Sequence, residues 1–224
     1  MVIQIYGIPS STAVRRALIA FEELNVPYEL VTIDLYKGEQ KTEKSLKSHP
    51  FGRVPWINDP ENDLLLFESR AIARYIVKKF DKDGTSGLIP KDSEEVKAAK
   101  FEQAASIEVT EFDSPGLALA RELVFNRVLY QREPDEARAA KLLAQLNHTL
   151  DIYEKILSQQ KYLSGADLTL ADLFHLPLIT VFNDRTNLDL INTGERPHVR
   201  RWWQEISSRP SWVAILALRN ATEA

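Results

Sequence analysis

The chain contains no cysteine, and this absence excludes much chemistry. A disulfide framework, a thiolate metal site, a cysteine nucleophile and a redox-active dithiol are all ruled out. If sulfur chemistry takes place here, a ligand has to bring the sulfur. Histidine is scarce as well: His49, His148, His175 and His198 stand far apart, with no i,i+4 pair to grip a metal, and no bound metal is expected. A formal net charge of −4 lacks the basic excess that nucleic acid or an anionic membrane surface selects, so neither is an expected partner. No apolar run approaches the roughly 18 residues of a membrane span. Met1 leads straight into the strand-like Val2-Ile3-Gln4-Ile5-Tyr6 with no signal-peptide pattern, which makes a cytoplasmic protein the expectation. What remains is an ordinary globular composition: 224 residues, 44% apolar and 27% charged, enough for one or two domains with a sizeable core.

The pattern along the chain changes near residue 81. Before it, elements alternate. Val2–Tyr6 reads as a strand, Ser11–Asn25 as a helix with Val14, Leu18 and Phe21 on one face, and Tyr28–Ile33 as a second strand, a βαβ unit. After a segment without a clear pattern come strands near Pro55–Ile57 and Leu64–Phe67, joined by the turn composition Asn58-Asp59-Pro60-Glu61-Asn62-Asp63, and then a helix over Ser69–Phe80. Residues 82–92 carry the Gly, Pro and charge content of a linker. Beyond them the periodicity is helical: one helix from a Ser93 cap to about Leu129 with a disturbance at Ser114-Pro115-Gly116, and another over Asp135–Leu157. A capping box follows at Thr169-Leu170-Ala171-Asp172, then helices near His198–Ser207 and Ser211–Arg219. The fold class is α+β, with a βαβ-ββα domain over 1–81, a linker over 82–92 and an all-helical domain over 93–224.

Three short stretches carry chemical possibilities. Val54-Pro55 opens a strand with a residue that has no N–H, leaving main-chain groups unpaired at its edge, and an X-Pro bond can be cis. Ser69 stands where a helix N-cap belongs, so free N–H groups there attract a carboxylate while the neighbouring Glu68 can hold an ammonium. Ser11 stands at the start of the first helix, where it either caps that helix or donates a hydrogen bond to an anion. Arg15 and Arg16 follow near the positive end of the same helix, where cations are mildly unfavourable. They are expected to be solvated or, ahead of direct ligand contact, bridged to acids such as Glu108, Glu111 or Asp113. Taken singly, each stretch has a plain structural account: a hairpin, a capped helix, a second capped helix. No histidine stands near Ser11 in the sequence to make it a nucleophile, which argues against a hydrolase triad.

Together these features resemble the glutathione transferases, and their phi class in particular, over nearly the whole chain. The resemblance is carried by Tyr6-Gly7-Ile8-Pro9-Ser10-Ser11-Thr12-Ala13-Val14-Arg15-Arg16, Lys37-Gly38-Glu39-Gln40-Lys41, His49-Pro50-Phe51-Gly52-Arg53-Val54-Pro55 and Phe67-Glu68-Ser69-Arg70-Ala71-Ile72. In the second half, Tyr162-Leu163-Ser164-Gly165 with Leu168-Thr169-Leu170-Ala171-Asp172-Leu173 looks like the family's helix-capping signature. The resemblance implies a thioredoxin-like first domain, glutathione as co-substrate, no metal, and a homodimer with Phe51 and Arg70-Ala71-Ile72-Ala73-Arg74 at the interface. It also implies roles. Ser11 would activate the glutathione thiol, with Ser10 and Thr12 as neighbours able to substitute. Pro55 would follow a cis bond, Val54 would pair with the cysteinyl main chain, and Glu68 and Ser69 would hold the γ-glutamyl group. Gln40 and Lys41 match the segment that contacts the glycyl carboxylate. The class pattern has histidine where Gln40 stands and glutamine where Arg53 stands; Arg53 adds a cation near the peptide, and the Ser-Pro-Glu-Ser set is intact.

The expected activity is conjugation of the glutathione thiolate to small hydrophobic electrophiles, in an electrophile pocket between the domains. Leu35, Phe112, Leu117, Phe125 and Phe182 are candidates for its wall, although aromatics at helical spacing more often serve as core. Val181 stands where relatives often carry tyrosine, which suggests a different or roomier pocket. Two other functions fit the same residues: a non-catalytic carrier of apolar ligands, and reduction of peroxides by the activated thiol.

Overall fold

The computed structural model of the chain describes residues 2–192 and 194–223. Strand β1 (Ile3–Gly7) alternates, with Ile3, Ile5 and Gly7 buried. Helix α1 (Thr12–Glu23) buries Val14, Leu18 and Phe21, the face its spacing predicts. It comes so close to the end of β1 that a Cβ on Gly7 would lie 2.4 Å from Val14 Cγ2, so only glycine fits there. Strand β2 (Tyr28–Thr32) pairs parallel to β1, as a helical crossover requires.

The segment without a clear pattern folds as a 3₁₀ turn (Glu39–Lys41) and a short helix, α2 (Glu43–Ser48). Thr42 organises both: its hydroxyl accepts from Ser45 N at 3.3 Å and lies 2.9 Å from the Glu39 carbonyl. Strands β3 (Trp56–Asp59) and β4 (Leu64–Phe67) form an antiparallel hairpin, completing a sheet of order β2-β1-β3-β4. Helix α3 (Ser69–Phe80) follows and packs against α1. A buried carboxylate pins hairpin to helix. Asp59 accepts from Glu61 N at 3.1 Å, Asn62 Nδ2 at 3.0 Å, the Tyr75 hydroxyl and the Lys79 ammonium. Burial alone would raise its pKa, but these donors outweigh burial and hold it well below the usual carboxylate range.

From Glu95 to Tyr130 the backbone stays helical throughout, as α4 (Glu95–Ile107), a π segment (Glu108–Asp113), α5 (Ser114–Ala120), a second π segment (Arg121–Phe125) and α6 (Asn126–Tyr130). The expected disturbance at Ser114-Pro115-Gly116 is a change of winding and not a break. Pro115 has no N–H to give the Glu111 carbonyl; the Thr149 hydroxyl, 2.9 Å away on α7 (Glu136–Gln159), supplies a donor instead. Ser93 does not cap α4, whose N-cap position is Glu94. The capping box forms as expected at α8 (Leu170–Leu173). Helices α9 (Leu176–Arg185) and α10 (Pro197–Ser207) follow. Asp172, fully buried, accepts from Leu163 N, Thr169 N, the Thr169 hydroxyl and Trp202 Nε1 at 2.8–3.2 Å. Burial nonetheless pushes its pKa up, since it penalises the charged form more than these donors favour it.

The chain divides into two compact units, one holding everything up to Ser86 together with the stretch from Arg209 onward, the other holding Gly87–Ser208. The first division falls within the expected linker. The second was not foreseen: the last helix, α11 (Pro210–Glu223), packs on α1 and belongs with the first unit rather than with the helical one. Its attachment is ionic and aromatic. Arg209 reaches Glu23 through Nε at 2.6 Å and Nη2 at 2.5 Å, the Ser211 hydroxyl bonds the same carboxylate, and Trp212 is buried under the Arg15 guanidinium at 5.7 Å.

Candidate active site

Sheet register brings the three sequence motifs to one end of the first unit. The β3–β4 ladder ends at Trp56↔Phe67, and one step past it come Pro55 and Glu68. The β1–β3 ladder ends at Tyr6↔Trp56, and one step past it come Gly7 and Pro55. The loop leaving Gly7 leads directly to Ser11, whose N–H bonds the Ile8 carbonyl at 3.0 Å. Tyr6 and Trp56 stack in parallel at 5.1 Å and support this edge from behind.

Each motif has a definite local geometry. The Val54–Pro55 bond is cis. Ser11 caps α1: its Oγ accepts from Val14 N at 3.4 Å, a long bond, and its O–H donates to no group among the described residues. Capping and anion binding are therefore compatible, because the cap uses a lone pair and leaves the proton free. At the start of α3 the expectation needs a correction. Ser69 is the first helical residue and buried; the N-cap position is Glu68, with φ +74°, ψ 108° and no side-chain cap bond. A positive φ on a glutamate is costly and persists only where its surroundings over-determine it. Ser69 instead receives a hydrogen bond from Arg16 Nη1 at 3.4 Å, which links α1 to α3 beneath the site. Arg16 is thus a buried support and, like Arg15, is not solvated as the plain reading had it.

The remaining glutathione-side candidates cluster around one turn. A Cβ on Gly52 would lie 3.3 Å from the Gln40 carbonyl and 3.6 Å from Lys41 Cδ, and Gly52 has φ +61°, so glycine is required there on both counts. Gln40 and Lys41 therefore abut the turn that leads into Arg53. Arg53, Lys41 and Glu68 are exposed, and neither the Arg53 guanidinium nor the Glu68 carboxylate has an ion-pair partner among the described residues. Both charges remain available. The sequence reading passed over His49, which is 3% exposed beneath this surface, its ring stacked on Phe67 at 4.6 Å.

The electrophile-side candidates divide. Phe112 and Phe182 are fully buried, and the Phe112 ring packs at 4.7 Å on His175 and at 6.3 Å on Tyr153 within the helical unit. That is a core position, the ordinary fate of an aromatic on a helix interior. Leu35, Leu117 and Phe125 are only half-buried. Val181 is buried.

A cis-proline at a strand start, an unpaired carboxylate, a helix start and a free hydroxyl thus gather at one end of a thioredoxin-like β2-β1-β3-β4 sheet. Comparison with known proteins makes the class specific. The family model of the glutathione S-transferase N-terminal domain matches residues 1–78, and that of the C-terminal domain matches residues 117–210. Glutathione S-transferase hmp2 of Hypomyces subiculosus is 38% identical, covering 97% of this chain and 99% of its own length. Glutathione S-transferase PM239X14 of Arabidopsis thaliana is 41% identical over 90% of this chain and 89% of its own. Among solved structures, glutathione transferase F2 from Populus trichocarpa superposes with a TM-score of 0.90 at 35% identity, covering 98% of this chain and 99% of that one. Maize glutathione S-transferase I in complex with an atrazine glutathione conjugate superposes with a TM-score of 0.85 at 28% identity, covering 98% and 99%. The chain belongs to the glutathione S-transferase family, on its phi-class branch.

Proposed function

We propose that the chain conjugates the thiolate of glutathione to small hydrophobic electrophiles, with Ser11 stabilising the thiolate. The observation that carries this reading is the convergence of Ser11, Val54-Pro55 and Glu68-Ser69 at one sheet end, with the Ser11 proton uncommitted. In this reading the Val54 main chain pairs with the cysteinyl residue of the peptide. The Glu68 carboxylate takes the γ-glutamyl ammonium, and Ser69 with the first N–H groups of α3 takes its carboxylate. Gln40 and Lys41 take the glycyl carboxylate, and Arg53 adds a cation beside it.

The energetics of thiol activation are modest. An unperturbed thiol has a pKa of about 8.5, and lowering it by ~2 units needs roughly 2.7 kcal/mol in favour of the thiolate. A hydrogen bond to a charged group contributes about 1.5–3 kcal/mol and a helix N-terminus about 0.3–1 kcal/mol. Ser11 at the start of α1 offers both, so no general base is required. The thiolate then attacks the electrophilic carbon, forming the C–S bond as a leaving group departs with the electron pair, or, in an addition, as the new carbanion takes a proton from water. The maize relative holding an atrazine glutathione conjugate supports conjugation as the reaction. Leu35, Leu117 and Phe125, with apolar surface still open, are the candidates for contact with the electrophile. The reading includes a cytosolic homodimer. Phe51, an aromatic left 67% exposed, supports the dimer as an interface residue, along with Arg70, Ala71 and Arg74 of α3; Ile72 and Ala73, expected there too, are instead buried within the protomer.

Ser11→Ala tests the assignment. Turnover with an aromatic halide should fall about 10–100-fold, the worth of one hydrogen bond to an anion, while the Kd for glutathione changes by less than about threefold. Unchanged turnover would transfer the role to Ser10 or Thr12. A carrier function predicts no turnover in the parent protein with any electrophile class. An organic hydroperoxide in the same panel reads out peroxide reduction by the same thiolate.

A further inference from the structure

The least explained group near the site is His49. It follows α2, its backbone N–H bonding the Ser45 carbonyl and its carbonyl accepting from Gly52 N, both at 2.8 Å. Its ring is almost wholly buried, and its Nδ1 has no hydrogen-bond partner. Hydrogen bonding at that edge is therefore not what the side chain contributes. Its ring area is. The imidazole stacks on Phe67 at 4.6 Å with 28° between planes and meets the Phe51 ring edge-on at 6.2 Å; Phe51 in turn meets Phe67 at 6.2 Å. Phe67 is itself the last residue of β4, paired with Trp56 at the end of the β3–β4 ladder. The residue immediately after Phe67 is Glu68, in its positive-φ conformation.

We propose that His49 is a positioning residue for the γ-glutamyl end of the site: its ring clamps Phe67 and so holds the strained Glu68 backbone with the carboxylate turned outward and unpaired. This rests on the glutathione reading above and deepens it. A clamp at this place has to be uncharged, because a cation beside Glu68 would compete with the ligand's ammonium. Burial provides that by lowering the imidazole pKa, and of the two exposed charges whose fields reach the ring, Glu68 opposes the shift and Arg53 assists it.

The test separates ring from nitrogen and clamp from general stability. Glutathione affinity is measured by Trp fluorescence, with kcat and KM alongside, for His49→Ala and His49→Phe. The same titrations use an analogue of glutathione that lacks the γ-glutamyl amino group. His49→Ala should raise the Kd and KM for glutathione about tenfold, the size of one weakened hydrogen bond to a charged group, with kcat at saturation within about twofold of the parent. The analogue, which has no ammonium to lose, should bind the parent and His49→Ala equally. His49→Phe, which keeps the stack, should restore glutathione affinity. Equal weakening of both ligands in His49→Ala, unchanged affinity for glutathione, or failure of phenylalanine to rescue would each overturn the proposal. A parent protein that binds no glutathione would instead sink the functional reading on which it stands.

Discussion

Two helix starts in this chain look alike in sequence and serve opposite ends. Thr169, at the start of α8, and Ser11, at the start of α1, are both hydroxyl caps. At Thr169 every polar group is used up inside the protein: its N–H and hydroxyl both reach the buried Asp172 carboxylate, which also takes Leu163 N and Trp202 Nε1. At Ser11 the Oγ accepts one long bond from Val14 N and the proton is left over. A cap that consumes its donor is structural, while a cap that spares it, at the edge of a sheet where a peptide can lie, has something to give a ligand.

The sharpest way to break this contrast is at the Thr169 end. Asp172→Ala strands several buried donors at once and should cost about 3–4 kcal/mol, read as a large loss of thermal or urea stability. If the Asp172 network were functional rather than structural, activity per folded molecule would fall instead. At the Ser11 end the pattern inverts. Ser11→Ala should reduce turnover while removing no more than about 1 kcal/mol of stability, because a 3.4 Å cap bond is weak. A stability loss as large as that of Asp172→Ala would erase the distinction.

Acid titration sharpens the comparison further, because the buried carboxylates of the two units shift in opposite directions. The pKa of Asp59 is depressed, so its stabilisation is complete above the unfolded value of about 4 and is lost as pH falls below it. The pKa of Asp172 is raised, so protonation is easier in the folded state and acid does not remove stability through this group. Asp59→Asn should therefore flatten the acid limb of the stability curve between about pH 4 and 2, and Asp172→Asn should leave that limb in place. Chemical denaturation at several pH values measures both. The smallest effect is expected for Thr169→Ser, which keeps the hydroxyl and should change stability by about 0.5 kcal/mol or less.

Local chemistry made much of the fold legible. The helix over Ser69–Phe80 and the strand over Leu64–Phe67 form with the predicted ends, because a turn composition and a run of apolar spacing define them within a few residues. The capping box at Thr169 was readable for the same reason. The segment between β2 and β3 was not, since a 3₁₀ turn and a six-residue α2 carry too few residues to show a period. The π segments were hidden too. The proline marks where the winding must change, but its orphaned carbonyl finds Thr149, which is 38 residues from Glu111 in the sequence. The helix near Ser211–Arg219 was legible, but the same distance problem hid where α11 packs: its anchor, Arg209 on Glu23, spans 186 residues. Phe112 and Phe182 show the limit for pocket residues, because apolar character on a helix does not say whether a ring faces a cavity or the core.

The chemical parts of the site are written in residue types: a hydroxyl at one helix start, an acid and a serine at another, a proline that leaves main-chain groups unpaired, and no cysteine to compete with a ligand's thiol. These follow from residue type and a few neighbours. Tertiary structure decided which parts are free to act. The ladders ending at Tyr6↔Trp56 and Trp56↔Phe67 bring the motifs together, Arg16 engages Ser69 from below, His49 stacks on Phe67 next to Glu68 in the chain, and the Ser11 proton remains unspent. A side chain's availability depends on what the rest of the chain places beside it, and that contact is set by folding across dozens of residues.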